Sequence, residues 1–307
     1  MRDINRLVEQ FREQGFCTIE GLYGPDEVAA LRSKTDAIMA DAFGVAAETE
    51  IFDLEETHRP DDPRVRRIKR PHKINPMYWD CACFAPLVEI LQALIGPSIR
   101  LHHSKINLKS ARYGAPLDWH QDWAFIPHTN PDLAIASVML DEVDLDNGPL
   151  LLLPGSHRRL LDHHDGGWFV GAIDPELLDT ASAVPVIGPP GTVTLHHPLL
   201  VHGSALNRSA RDRRLLFYEY AAADAWPLIY GVEYGEYNRR LVAGDPEPRI
   251  RMTATEVKMP HPVRNPGSIY RNQVDLKHRF FETTLPEDRE NLLHATAEPV
   301  FQARSAS

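Results

Sequence analysis

Between Ile99 and Tyr220 the sequence breaks into short apolar runs: Ile99 to Lys109 (IRLHHSKINLK), Leu133 to Leu140 (LAIASVML), Leu150 to Leu153 (LLLL), Val184 to Ile187 (VPVI), Thr192 to Leu195 (TVTL) and Leu215 to Tyr220 (LLFYEY). The runs are of strand length, and Gly, Pro, Asn and Asp, the residues that turn a chain, lie between them. Many short strands at such intervals predict an antiparallel sandwich or barrel. A double-stranded β-helix, the cupin-like jelly roll, satisfies the pattern: two facing sheets bury alternate residues and leave a wide mouth where strand ends present side chains. The expected class is mainly β with flanking α-helices.

Upstream, Ile4, Leu7, Val8 and Phe11 recur at helical spacing, with Gly15 placed to end the helix, and Phe16, Thr18 and Ile19 favour a short strand. Gly24-Pro25-Asp26-Glu27 is a helix start, with Val28, Leu31 and Ile38 down one face. Residues 56 to 76, rich in Arg, Asp, Pro and His, lack a period and read as an exposed loop; Phe84-Ala85-Pro86-Leu87 then opens a helix ending near Gly96. Residues 221 to 284 hold aromatics, prolines and arginines with weak period, and read as loops and short elements covering the mouth. With no repeat or linker, a single domain is expected over residues 1–307. It has a helical part over about 1–97, a jelly-roll core over about 98–220 and a cover over about 221–307.

The chain has 307 residues, 43% hydrophobic and 25% charged, the usage of a folded globular protein. A formal net charge of -10 disfavours a field that recruits nucleic acid or an anionic membrane, so a small-molecule partner is expected, with no nucleic acid and no membrane. No run approaches a bilayer span and the N-terminus lacks the apolar stretch of a signal peptide, so the expected location is the cytoplasm. Cys17, Cys81 and Cys83 are expected as reduced, packed thiols. Oligomeric state is silent.

Chemistry concentrates at Trp119-His120-Gln121-Asp122-Trp123 and, far downstream, at His202-Gly203-Ser204. Side chains alternate faces along a strand, so His120 and Asp122 point one way and Trp119, Gln121 and Trp123, read as core, the other. A His-x-Asp pair alone says little in a chain with 15 histidines. A third donor from a distant strand, His202, completes two imidazoles and one carboxylate on one face of an ion, the facial arrangement of non-haem iron(II). His196 and His197 are the competing histidines if the register slips, and His157 in Pro154-Gly155-Ser156-His157 reads as turn architecture.

A second signal is Asn207-Arg208-Ser209-Ala210-Arg211-Asp212-Arg213-Arg214, leading into the last strand. 2-Oxoglutarate on a metal would leave a remote carboxylate for a guanidinium to bind bidentately. Arg208 and Arg211 read as solvated; Arg213 and Arg214 stay in contention, since a one-residue slip exchanges their faces.

These motifs resemble the phytanoyl-CoA dioxygenase family of iron and 2-oxoglutarate oxygenases. The likeness rests on Gly15-Phe16, Ile106-Asn107-Leu108-Lys109, His120-Gln121-Asp122, Asp146-Asn147-Gly148-Pro149-Leu150, Pro154-Gly155-Ser156-His157 and His202-Gly203-Ser204, over roughly residues 10 to 220. The resemblance implies iron(II) on His120, Asp122 and His202 as the catalytic centre. It also implies 2-oxoglutarate held by Arg213 and Ser204, and O2 as oxidant. It points to Lys109 as a further co-substrate contact, with Lys105 competing. The implied reaction hydroxylates an unactivated C–H bond of a small molecule and releases succinate and CO2. The presence of Asp122 favours oxygen insertion over halogenation. The alternatives are a cupin-type metal enzyme without 2-oxoglutarate and a non-catalytic jelly-roll binding module. In the cover, Arg264, Tyr270 and Arg271 are candidate contacts for an anionic substrate.

Overall fold

The computed structural model describes residues 3–112 and 114–283. Asp3 caps the first helix, α1 (Ile4–Gln14), by accepting the Arg6 amide, and Gly15 ends it at φ 83°. Strand β1 (Phe16–Ile19) follows, then α2 (Pro25–Ala40), β2 (Phe52–Leu54) and β3 (Val65–Lys69). Three helices come next: α3 (Pro71–Ile74), α4 (Pro76–Ala82) and α5 (Ala85–Ile95). The β-rich part holds β4 (Ile99–Lys109), β5 (Leu117–His120), β6 (Leu133–Met139), β7 (Leu150–Leu152), β8 (His164–Asp165) and β9 (Trp168–Phe169). It continues with β10 (Val184–Val186), β11 (Val193–His196), β12 (His202–Ser204) and β13 (Arg213–Ala222). The cover carries α6 (Tyr234–Asn238), β14 (Leu241–Ala243) and α7 (Ile269–Asn272).

Two antiparallel sheets face each other as a jelly roll. The larger runs β1-β11-β6-β13-β4-β3-β2, with β14 also on β4; the smaller runs β10-β7-β12-β5. Strand alternation divides the larger sheet's two faces. Ile106, Leu108, Ala136, Val138, Leu195, Leu216 and Tyr218 point outward into a core shared with Phe11, Val28, Leu31, Leu87 and Leu91 of the helices. Three tyrosines fasten α4 there: Tyr23, Tyr218 and Tyr220 donate to the carbonyls of Cys81, Tyr78 and Ala82. These bonds hold α4, a helix of 7 residues, to the strands and to Tyr23 through its own carbonyls. The inner face is apolar at one end, where Ile135, Met139, Leu215 and Phe217 meet Leu150, Leu152 and Val186 of the smaller sheet. At the other end it is polar.

Two expectations are corrected here. Residues 56 to 76 are not one exposed loop, because Val65–Lys69 pairs with β4 and buries Val65 and Ile68 completely. In addition, β5 stops at His120 and Asp122 opens a 3-10 turn, Asp122–Ala124, whose Trp123 amide donates to the Pro198 carbonyl at 2.8 Å. Strand alternation therefore does not extend from His120 to Asp122. All three cysteines are free thiols, Cys17 and Cys81 fully packed. Among the described residues no single helix is long and apolar enough to cross a membrane.

Candidate active site

The polar end of the jelly roll holds a cavity of about 600 Å³ with His120, Asp122 and His202 in its wall. His120 ends β5 and His202 begins β12, and the two are direct register partners, which brings their ring centroids to 4.1 Å. Asp122 joins them from the 3-10 turn, and one donor atom from each of the three lies within 4.8 Å of the others. Nδ1 of His120 bonds the Asp118 carbonyl and Nδ1 of His202 the Leu200 carbonyl, each at 2.9 Å. The proton therefore sits on Nδ1, and Nε2 presents its lone pair to the cavity. Burial holds the His120 imidazole well below its usual range and lowers His202 to about 4, so both are neutral donors at neutral pH. Burial alone would raise the Asp122 carboxyl, but Lys105, His202 and His196 hold it well below the usual carboxylate range. Two neutral nitrogens and one carboxylate oxygen form the donor set of non-haem iron(II) oxygenases.

The residues behind the triad fix its geometry. His196 donates from Nε2 to Asp122 Oδ2 at 3.1 Å and is fully buried. It contacts the carboxylate rather than joining the three-donor group. Gln121 points away, bonding the Arg159 and Leu199 carbonyls and the Leu161 amide. Trp119 and Trp123 are packed into separate apolar clusters. His157, on a 3-10 turn, bonds the Arg12 carbonyl, and the His197 ring packs beside it at a tilt, neither belonging to the three-donor group.

Arg213 and Arg214 open β13 and take opposite faces. Arg214 makes three bonds to Asp141 and a fourth to Asp36. Arg213 lines the cavity at 2% exposure; its Nη2 donates to the Gly148 carbonyl at 2.8 Å, its Nε has no partner, and no carboxylate bridges it among the described residues. Burial lowers it to about 10, so it stays a cation. Ser204, on β12, lines the same wall. Lys109 pairs in register with Arg213, but its ammonium turns to the Ser204 and Ala205 carbonyls and lies outside the cavity lining. Lys105 lines the cavity and is paired with Glu219 at 2.9 Å. Burial would raise the Glu219 carboxyl, but Lys105 and His103 bring it to about 2.

Sequence reading left several lining residues without a role. Asn107 accepts from Arg67 Nε at 3.1 Å; its place in Ile106-Asn107-Leu108-Lys109, one strand face from Lys105, is the signal that could have found it. Glu219 is legible only as a carboxylate interrupting an apolar strand. Of the three candidates in the cover, Tyr270 and Arg271 line the cavity, while Arg264 lies over the Trp168 ring at 5.2 Å, away from it.

A model of the phytanoyl-CoA dioxygenase (PhyH) family matches residues 11–215. The chain belongs to the phytanoyl-CoA dioxygenase family. Among its relatives, the "Probable alpha-ketoglutarate-dependent hypophosphite dioxygenase" of Stutzerimonas stutzeri is 37% identical over 284 residues, covering 89% of this chain and 98% of that one. The ectoine dioxygenase of Sphingopyxis alaskensis is 29% identical over 248 residues, 74% of this chain and 79% of its own. A crystal structure of EctD from S. alaskensis with bound Fe superposes with TM-score 0.63 at 27% identity, covering 80% of this chain and 86% of the other. The same protein with 2-oxoglutarate and 5-hydroxyectoine gives 0.62 at 27% identity, covering 83% and 86%. As a phytanoyl-CoA dioxygenase family member with this donor set, the chain is an iron(II)- and 2-oxoglutarate-dependent dioxygenase acting on a small molecule.

Proposed function

We propose that His120, Asp122 and His202 hold iron(II), that Arg213 and Ser204 hold the remote carboxylate of 2-oxoglutarate, and that the primary substrate is a small oxyanion. The observation that carries the first two assignments is the convergence of three donors within 4.8 Å in a cavity that also contains a buried guanidinium with a free Nε. A buried arginine left unpaired is costly, and a dicarboxylate's far end offsets that cost bidentately. Neither alternative accounts for it: a cupin-type enzyme without 2-oxoglutarate, or a binding module, needs no such group.

The substrate class follows from charge. In a chain of net charge -10, the cavity is lined by Arg67, Lys69, Arg70, Lys73, Lys105, Arg240 and Arg271 besides Arg213, against Glu48, Asp53, Asp122 and Glu219. Such a lining suits a compact anion better than an acyl chain. The S. stutzeri relative is named for hypophosphite, an anion of this kind. Bound there, iron and 2-oxoglutarate would let O2 oxidise both partners, one oxygen atom passing into succinate as the keto acid loses CO2 and the other into an unactivated C–H bond, or into a P–H bond where the substrate is a phosphorus oxyanion.

The protein's own part is orientation and exclusion. The backbone bonds to both Nδ1 atoms aim the imidazoles, and His196 steadies the carboxylate. Phe125 stands edge-on to His120 at 6.1 Å, and with Phe217 and Ile126 it supplies an apolar wall that keeps water from the reacting centre.

Anaerobic titration of apo-protein with iron(II) and then 2-oxoglutarate tests the assignment through the visible charge-transfer band of a chelated keto acid. The band is expected in the parent, absent in Asp122→Ala and weakened in Arg213→Ala. Iron binding without a band in the parent would transfer the site to the cupin-type reading. Hypophosphite and short phosphonates are then assayed for stimulated succinate release.

A further inference from the structure

The family model stops at residue 215, yet the cavity wall does not. Tyr270 comes from α7 in the C-terminal cover and is 7% exposed. Its ring is held on two sides: it packs with Leu117 and Ile269, and the guanidinium carbons of Arg66 and Arg67 lie 4.9 Å and 5.2 Å from its centroid. These neighbours locate it at one end of the cavity. Leu117 is the register partner of Ser204. Arg67 donates to Asn107, which lies two residues along β4 from Lys109, the register partner of Arg213. The Tyr270 phenol is also the named group that acts most strongly on the Arg213 guanidinium after burial itself.

A buried phenol ordinarily finds a hydrogen-bond partner. The Tyr270 hydroxyl has none among the described residues, and it sits in a wall shared with an arginine whose Nε is also free. A carboxylate offers about four lone-pair positions. Two accept from a bidentate guanidinium and one from the Ser204 hydroxyl, so one is left for a further donor.

We propose that the C-terminal segment completes the co-substrate site, with the Tyr270 hydroxyl donating to the remote carboxylate of 2-oxoglutarate beside Arg213 and Ser204. This rests on the 2-oxoglutarate assignment made above. It moves Tyr270 from the substrate side of the cavity, where the sequence suggested it, to the co-substrate side. It also gives the segment beyond the family match a binding role, because α7 cannot leave the wall without removing a donor.

The test compares two keto acids on the iron(II)-loaded full chain without oxygen, reading the charge-transfer band to obtain dissociation constants. 2-Oxoglutarate carries the remote carboxylate, and 2-oxopentanoate carries a methyl group in its place. Tyr270→Phe removes only the hydroxyl and keeps the ring against Arg66 and Arg67. The expected result is a roughly 10-fold weaker 2-oxoglutarate affinity, no change for 2-oxopentanoate, and unchanged iron affinity and melting temperature. Equal weakening of both keto acids would mean that Tyr270 acts by packing alone, and no weakening of either would mean that its hydroxyl is not a donor; each overturns the proposal. Failure of the parent itself to bind 2-oxoglutarate would instead sink the underlying assignment, and the two failures are distinct.

Discussion

Arg213 and Arg214 are adjacent in sequence and opposite in surroundings. One faces the cavity with a free Nε; the other is tied to Asp141 and Asp36 on the outside. Their substitutions should therefore separate. Arg213→Met is expected to lower 2-oxoglutarate affinity by two orders of magnitude or so with little loss of fold. Arg214→Met should cost about 2 kcal/mol of stability and leave co-substrate affinity alone. Keto-acid titration and urea unfolding on both variants check the pair, and equal effects on 2-oxoglutarate would contradict the strand register. His196 poses a related question. It touches Asp122 rather than the metal position, so His196→Ala should weaken iron(II) affinity by ~10- to 100-fold without abolishing it, unlike Asp122→Ala; competition with a metal-binding dye measures both. The triad residues were legible because His-x-Asp and a distant His-Gly-Ser are local patterns. His196 was legible only as a competing ligand, and Asn107 and Glu219 had no role, because their place at the site depends on which strands become neighbours across the sheet.

The elements show why one strand was readable and another was not. β6 is buried along its whole length and reads as an apolar run interrupted only by Ser137. β3 turns Arg67 and Lys69 into the cavity and puts only Ile68 between them toward the helices, so function erased the alternation that would have announced a strand. The cover is a similar case. Its 264 to 283 stretch has little period because it is fastened through polar bonds to β5. Asp118 accepts from the Phe280 and Phe281 amides and from Arg279 Nη1, while Gln273 accepts the Asp118 amide and donates to the Gly171 carbonyl. Asp118 lies between Leu117 and Trp119, two residues before the first metal-binding candidate, so the clamp joins the cover to the strand that carries His120. Asp118→Ala should cost about 2 kcal/mol, since it takes the acceptor from the buried Phe281 amide and the part-buried Phe280 amide and leaves Arg279 with only its carbonyl partners. It should also admit protease between residues 264 and 283 before the jelly roll unfolds. Limited proteolysis that cleaves parent and variant at equal rates would show that the clamp does not hold the cover down.

At the scale of the whole molecule, the polar interior should make the protein sensitive to acid. Burial brings His72, His102, His103 and His163 to about 4, and His128 and His197 to about 3; none is among the three metal-binding candidates. In the unfolded chain each titrates near 6.5. Between these limits the unfolded state binds more protons than the folded one, so stability is intact above about pH 6.5 and is lost as the pH falls toward 4. Six such groups, each at about 1 kcal/mol per pH unit below that point, amount to several kcal/mol by pH 5.5, a large share of an ordinary domain's 5–15 kcal/mol. Glu55 works the other way: burial raises it to about 7, so the folded state gains one proton as the pH drops, and one group cannot balance six. Melting temperatures at constant ionic strength should hold between pH 8 and 7 and fall steeply from pH 6.5 to 5.5. A flat profile over that interval would mean that these imidazoles take up protons in the folded protein, including His72, His102 and His103 in the cavity wall. The space around the triad would then be wetter than its packing indicates, and the exclusion of water assigned to Phe125, Phe217 and Ile126 would have to be given up.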